Sequence, residues 1–258
     1  MIAPPLHQRV GRKLRLLASS VLLASSPQIA CNLCGWQGRH FVDDEWHSQA
    51  TCPRCGSQVR HRLLAVALTE HPHLRLENIF GQRATLHVAP EKMISSLIQK
   101  YTQCYQTADF NRKDIDLHLD ITQMTAISSG SYGVFIACDV LEHVSDDRQA
   151  LREIYRILEP GGWGIFTVPQ QDHRQETLED PSIQTPADRE KYYGQWDHVR
   201  LYGADFSRRL EEAGFTVTVV DEQSFSPETV ARYVLFPPAL SPHPLATNYR
   251  KVFFAQKS

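Results

Sequence analysis

Residues 138–169 read CDVLEHVSDDRQALREIYRILEPGGWGIFTVP, and the parsing of this stretch decides the fold. It grows out of the apolar strand VFIACD (134–139), continues as a helix from Asp146 to Leu158, and turns at Pro160, Gly161 and Gly162. A second strand follows at Trp163 to Val168. Two strands joined by a crossover helix lie parallel in one sheet.

The same alternation extends in both directions. Upstream, a strand at Ala84 to Val88 meets Pro90 and a helix from Glu91 to Tyr101. A strand at Tyr105 to Ala108 then ends at Asp109, and LHLDIT ends near Asp120. Downstream, residues 169–202 are polar and irregular, longer than an ordinary connection, which is the character of a lid or binding loop. A helix at Ala204 to Ala213, a strand at Phe215 to Val220, a proline-rich excursion and a strand at Lys251 to Ala255 complete the series. The expectation is an α/β, Rossmann-like, doubly wound and mostly parallel sheet.

The N-terminal part is of another kind. Cys31 and Cys34 in CNLCG, with Cys52 and Cys55 in CPRCG, are two CxxC pairs, each followed by a glycine that lets backbone amides turn toward sulfur. That spacing suits tetrahedral zinc with Zn–S bonds of ~2.3 Å, ahead of a labile thiol pair or a redox CxxC. Four thiolates leave no open coordination position, so the centre reads as structural. Trp36, Phe41, Val42 and Trp46 between the pairs suggest the short strands of a small zinc ribbon. The expected divisions are an amphipathic helix over 1–27, the ribbon over 28–59, a linking helix within 60–81 and the large domain over 82–258. For the first of these, Leu14, Leu16, Leu17, Val21, Leu22 and Leu23 recur at helical spacing before Pro27, which favours a helix over a cleaved signal.

With 258 residues and a net charge of −2, the chain has no overall field to recruit polyanions. Six cysteines, four in metal spacing and Cys104 and Cys138 scattered, fit a reducing compartment, so the expected location is the cytoplasm. No stretch approaches the ~18 consecutive apolar residues of a membrane span.

In an open parallel sheet, ligands sit beyond the carboxyl ends of the strands where strand order reverses. Ala89, Pro90 and Glu91, then Asp109, Asp120 with Ile121, and Cys138 to His143 occupy those ends. A carboxylate there can accept from both vicinal hydroxyls of a ribose, and Asp109 is the best candidate, its alternative being an ordinary turn aspartate.

The combination VLEHV, helix, LEPGG and strand resembles class I S-adenosylmethionine-dependent methyltransferases, especially those with a methyltransferase-11-type domain, from about Gln82 onward. The resemblance implies a final antiparallel strand and S-adenosylmethionine as cofactor. It implies that Asp109 binds the cofactor ribose, that Asp120 and Ile121 flank adenine, and that Ala137, Cys138 and Asp139 line the pocket by the methyl group. Glu142 and His143 match the LEH element, which either touches cofactor or fixes the helix start. The first strand departs from the family: LHVAPEKM has His87 and Ala89 where an acid and the first glycine are usual. With Pro90 opening the helix, Glu91 is expected to contact the methionine ammonium.

Methyl transfer mainly requires alignment, with a base only for weakly acidic nucleophiles. In GQWDHVRLYG, His198 is the candidate general base, oriented by Asp197 or another carboxylate, although a solvated loop histidine fits the sequence equally. Asp172 and His173 are further candidates, Arg200 could hold an anionic group, and Tyr192, Tyr193 and Trp196 could form an apolar or sugar-stacking wall. The leading expectation is methyl transfer to a small-molecule or glycan-type acceptor. One alternative is an RNA methyltransferase whose zinc module binds RNA through Arg39, Arg54, Arg60 and Arg62, against which stand Asp43, Asp44 and Glu45. Another is a non-catalytic zinc-bearing adaptor.

Overall fold

The computed structural model describes residues 29–44 and 46–258, so the helix expected over 1–27 lies outside the described residues. Strands β1 (Ile29–Ala30) and β2 (Gln37–Gly38) form a small antiparallel ribbon. Helices α1 (Val59–Glu70) and α2 (Leu76–Phe80) follow, then β3 (Ala84–Val88), α3 (Lys92–Ile98), β4 (Cys104–Asp109), β5 (Leu117–His118) and β6 (Tyr132–Cys138). The chain continues through α4 (Asp147–Ile157), β7 (Leu158–Thr167), α5 (Pro186–Tyr193), α6 (Phe206–Glu212), β8 (Phe215–Val220), α7 (Pro227–Tyr233) and β9 (Val252–Lys257).

The large sheet has the order β5-β4-β3-β6-β7-β9-β8. Its first five strands are parallel, and β9 runs antiparallel to both β7 and β8. The doubly wound sheet with a late antiparallel strand is therefore present. Strand order reverses between β3 and β6, which fixes where a ligand crevice opens.

Strand β6 shows why this sheet is covered on both faces. Tyr132, Phe135 and Ala137 pack with Leu151, Ile154 and Phe206 on one side, while Val134, Ile136 and Cys138 pack with Leu63, Ile79 and Ile94 on the other. Period-two alternation with no polar face requires helices above and below. Asp146 starts α4 by accepting from the Gln149 amide at 2.8 Å, and Ala150, Leu151, Ile154 and Ile157 then form its buried stripe. Residues 60–81 do more than link, because α1 and α2 form part of the second layer. The Pro160–Gly162 turn lies inside β7, as a loop between the Tyr132–Leu158 and Val134–Trp163 pairings.

The loop expected to be irregular over 169–202 contains α5. Thr185 caps it by accepting from the Asp188 amide, Pro186 sits in its first turn, and Gly194 ends it at φ 87°. The signal TPADREKYYG was present in the sequence, a cap, an N-terminal proline and a C-terminal glycine, but α5 has little amphipathic pattern to draw attention to it.

His87, where the resemblance implies an acid, is fully buried on β3 and bonded through Nδ1 to the Tyr105 hydroxyl at 2.8 Å. Burial lowers its pKa to about 4. An unfolded histidine titrates near ~6.5, so between these values the unfolded chain binds more protons than the folded one. This contribution to stability is complete above about pH 6.5 and is lost as pH falls toward 4. His87→Leu should reduce the acid-side slope of unfolding free energy by about one proton, as measured by urea unfolding across pH. An unchanged slope would contradict a buried neutral imidazole.

Candidate active site

The two sequence-remote knuckles are built alike. Gly35 and Gly56 donate to the Cys31 and Cys52 carbonyls at 2.9 Å each, and the Cys31 and Cys52 amides reach Trp36 and Ser57 carbonyls. Both glycines have φ near +70°, at 71° and 73°, which suits a residue without Cβ. The four sulfurs lie within 4.8 Å of one another, with Cys31–Cys55 at 3.7 Å and Cys34–Cys52 at 3.8 Å. A tetrahedron with ~2.3 Å bonds has edges of ~3.8 Å, whereas a disulfide needs ~2.05 Å. The spacing fits one tetrahedral ion and no disulfide.

Arg62 joins this module to the large domain. It is fully buried and donates to the carbonyls of Ala50, Ser57, Tyr233 and Val234, with its guanidinium 4.2 Å from the Phe41 ring centre. Arg60, two residues earlier on α1, points to the crevice and pairs with Glu91 at 3.1 Å and Asp139 at 3.2 Å. Neither arginine is a free phosphate contact, which corrects that part of the RNA-binding expectation; Arg39 and Arg54 remain exposed.

At the switch point the backbone is unusual on both central strands. Ala89 after β3 has φ 47° and Asp139 after β6 has φ 50°, left-handed conformations that cost a residue with Cβ about 1–2 kcal/mol each. Ala89 thus adopts a left-handed turn of the kind that glycine makes most readily. Its amide donates to the Ala108 carbonyl at 2.8 Å, tying the first loop to β4.

Glu91 and Asp139 meet here through Arg60. Burial alone would raise the Glu91 carboxyl, but His61 and Arg60 offset it and hold it below its ordinary range. One oxygen, Oε1, takes both partners; Oε2 is buried with no hydrogen-bond partner. Burial likewise opposes ionisation of Asp139, yet Arg250 and Arg60 hold it well below the usual carboxylate range. Arg250 reaches its two oxygens at 2.6 and 2.7 Å, and Thr167 donates to it at 2.7 Å.

Asp109 and Asp120 stand apart from this cluster, along the ends of β4 and β5. Asp109 Oδ1 accepts from the amides of Asn111 and Arg112, and Asp120 Oδ1 from Thr122, so each keeps Oδ2 without a protein hydrogen bond. The turn-aspartate geometry and an available second oxygen coexist. Ile121 is buried in the core beside these ends. Cys138 is buried in the layer under α1 and does not line the cleft beside Asp139, although Glu91, Asp139 and Arg60 lie near enough to act on its thiol.

Beside Asp139 opens a cleft of about 490 Å³. Its walls come from four parts of the chain: Asp44, Trp46 and His47 of the N-terminal module, Arg60 of α1, the β6 end with Asp139, Glu142 and His143, and the late loops with His198, Asn248 and Arg250. Trp46 stacks on His243 with ring centres 4.4 Å apart and covers Gly194, where a Cβ would lie 2.7 Å from the indole. The N-terminal module is therefore a wall of the cleft.

His198 is buried in this cleft, and Asp197 is not its orienting partner. Its Nδ1 lies 3.2 Å from the Tyr193 carbonyl, whereas Asp197 Oδ2 lies 3.3 Å from His143 Nδ1. Burial, aided by His143, lowers the His198 pKa to about 4, which makes it a weak base at neutral pH. Burial and the charge of Asp139 push the Glu142 carboxyl well up.

Other loop expectations are corrected. Arg200 is 1% exposed and donates to the Leu141, Val144 and Ser145 carbonyls, so it anchors the loop to the β6 end and binds no substrate anion. Asp172 is engaged by Asn248, and His173 is exposed outside the cleft. Of the proposed aromatic wall, Tyr193 lines the cleft and is buried, while Trp196 is 61% exposed and does not line it. Trp46 fills that role from a distant segment. Trp46, His47 and Arg250 gave no local sequence signal, since only the fold brings them to β6.

The family described as a methyltransferase domain matches residues 62–220. No curated protein matches the chain. Similar solved structures include an S-adenosylmethionine-dependent methyltransferase from Mesorhizobium loti, at 14% identity, 69% of this chain, 92% of that chain and TM-score 0.46. They also include a SAM-dependent methyltransferase from Archaeoglobus fulgidus, at 12% identity, 78% and 95% coverage and TM-score 0.49. The YcgJ protein from Bacillus subtilis has 13% identity, 76% and 98% coverage and TM-score 0.47.

Proposed function

Because the chain belongs to the methyltransferase-domain family, we propose that it transfers the methyl group of S-adenosylmethionine to a small-molecule or glycan-type acceptor bound in the cleft beside Asp139. The chain is an S-adenosylmethionine-dependent methyltransferase in class; the acceptor and the residue roles are the proposal. The cofactor, when bound, supplies a methyl group activated by its sulfonium. Glu91 Oε2, a buried acceptor without a donor, fits the methionine ammonium, Asp109 Oδ2 fits the ribose hydroxyls, and Asp120 with Ile121 fits the adenine edge. Ala89 keeps the backbone close turn, and Asp139, fixed by two arginines, borders both cofactor and acceptor space. The fit of donors and acceptors supports a cofactor site despite the missing glycines.

The four-cysteine module, with zinc at its centre, supports the acceptor wall and takes no part in the chemistry. A thiolate-held ion suits a reducing compartment such as the cytoplasm. Among the described residues no helix is long and apolar enough to cross a membrane.

The cleft carries the acceptor reading. Its size lies within the roughly 300–1,000 Å³ of small-ligand sites, and Arg60 and Arg250 within it are already paired to carboxylates rather than free for a polyanion. Radiolabelled methyl transfer into fractionated cell extract tests it. Label is expected in small molecules or saccharides; label confined to RNA would overturn the acceptor assignment.

A further inference from the structure

We propose that Glu142, His143 and His198 form a second metal centre, a divalent-cation site on the cleft wall, separate from the four cysteines. One ligand atom from each residue lies within 4.8 Å of the others. Neighbouring ligands held ~2.1 Å from a single ion lie ~3.0–3.4 Å apart, so a pair at the 4.8 Å limit would draw together by at most about 1.8 Å.

Both imidazoles are set to present Nε2. The Tyr193 carbonyl can only accept, so the His198 Nδ1 at 3.2 Å from it carries the hydrogen and leaves Nε2 as a lone pair. His143 Nδ1 faces Asp197 Oδ2 at 3.3 Å, and Asp197 is itself held by Gln195 Nε2 at 2.7 Å. A histidine whose far nitrogen is fixed by a carboxylate or a carbonyl is the usual support of a metal ligand. The loop is brought in by the Val199 amide, which donates to the Glu142 carbonyl at 2.9 Å and places His198 beside it.

Glu142 supplies an independent observation. It is 1% exposed, and its Oε2 has no hydrogen-bond partner. A buried carboxyl oxygen left without a hydrogen-bond partner is costly in either protonation state unless a partner satisfies it, and no arginine or lysine bonds it here. A cation between the three side chains would do so. The set of two imidazoles and one carboxylate, without thiolate, suits first-row divalent ions such as Mn²⁺, Co²⁺ or Zn²⁺ and leaves coordination positions for further ligands.

The site stands on its own geometry; its role rests on the methyl-transfer reading. An acceptor hydroxyl on that cation would be held against Asp139 and made more acidic. Its proton passes to water in the cleft as the C–O bond forms and the S–CH₃ bond breaks, leaving a methyl ether and neutral S-adenosylhomocysteine.

Mn²⁺ is the probe. Titration of the zinc-loaded full chain, with free Mn²⁺ followed by electron paramagnetic resonance, should show one further ion bound per chain. Glu142→Gln and His143→Ala should each weaken it at least about tenfold. His143 is on the surface side of the cluster, so its variant keeps the test decisive if the Glu142 variant fails to fold. No bound Mn²⁺, or binding unchanged in His143→Ala, would overturn the site. Cofactor binding measured on the same sample separates the two readings: Mn²⁺ bound without S-adenosylmethionine leaves the metal centre and removes its role, whereas the reverse removes the centre alone.

Discussion

Cys52→Ser is expected to release the metal from the N-terminal module and lower methyl transfer by about 100-fold or more while the seven-stranded sheet stays folded. A structural zinc centre contributes on the order of 10 kcal/mol to a unit too small to hold itself together by apolar burial. The core of that unit among the described residues is little more than Ile29, Phe41, Val234 and the cysteines. Its collapse removes Trp46 from Gly194 and His243, so the loop carrying His198 loses its cover. A displacement of about 1 Å at a reacting geometry can by itself cost about 100-fold. Metal content, circular dichroism and turnover measured together check the prediction. Retained zinc with full thermal stability, or full turnover after zinc is lost, would show that the module neither depends on the metal nor shapes the cleft.

The second large effect is expected from Arg60→Met. Arg60 is shared by Glu91 and Asp139, and removing one member of a buried ion cluster typically costs about 3–5 kcal/mol because the remaining charges are left unpaired. Asp139 keeps Arg250, so the larger change falls on Glu91. Burial raises the Glu91 carboxyl, and with Arg60 gone only His61 opposes that rise. The sign follows directly: a depressed carboxylate contributes fully above its unfolded pKa and loses that contribution as pH falls through the folded one. Raising the folded pKa moves this loss to higher pH. S-adenosylmethionine affinity in Arg60→Met should therefore fall at least about tenfold, and by more at pH 6 than at pH 8. A pH-independent loss would point to altered packing rather than to the charge on Glu91.

Strand ends and the core were readable in advance because they rest on local pattern. VFIAC is apolar throughout, so it had to be central, and ATLHV and FTVTVV fall on β3 and β8 within the observed bounds. The two CxxC pairs carry their geometry in their spacing, and the sulfurs lie as that spacing implies. The cleft was not readable in the same way. Arg60 and Arg62 are two residues apart in an arginine-rich stretch, yet a helix turns one toward Asp139 and the other into the interior. Arg200 looked like a substrate anchor because an arginine in a polar loop is usually solvated; three buried carbonyls at the β6 end claim it instead. Asp197 sits next to His198 in sequence but meets His143, since the turn closed by the His198 amide on the Gln195 carbonyl points the two side chains in different directions. Long-range partners decide these assignments, and no local pattern encodes them.

The most direct test is calorimetric titration of the zinc-loaded chain with S-adenosylmethionine, alongside Asp109→Ala. One cofactor per chain should bind, and the variant should bind at least about tenfold more weakly, because a carboxylate hydrogen-bonded to a ligand contributes about 1.5–3 kcal/mol. Absence of saturable binding to the wild-type chain would contradict a cofactor site at the ends of β3 and β4 and leave the glycine-free loop as the mark of a domain that has lost its cofactor.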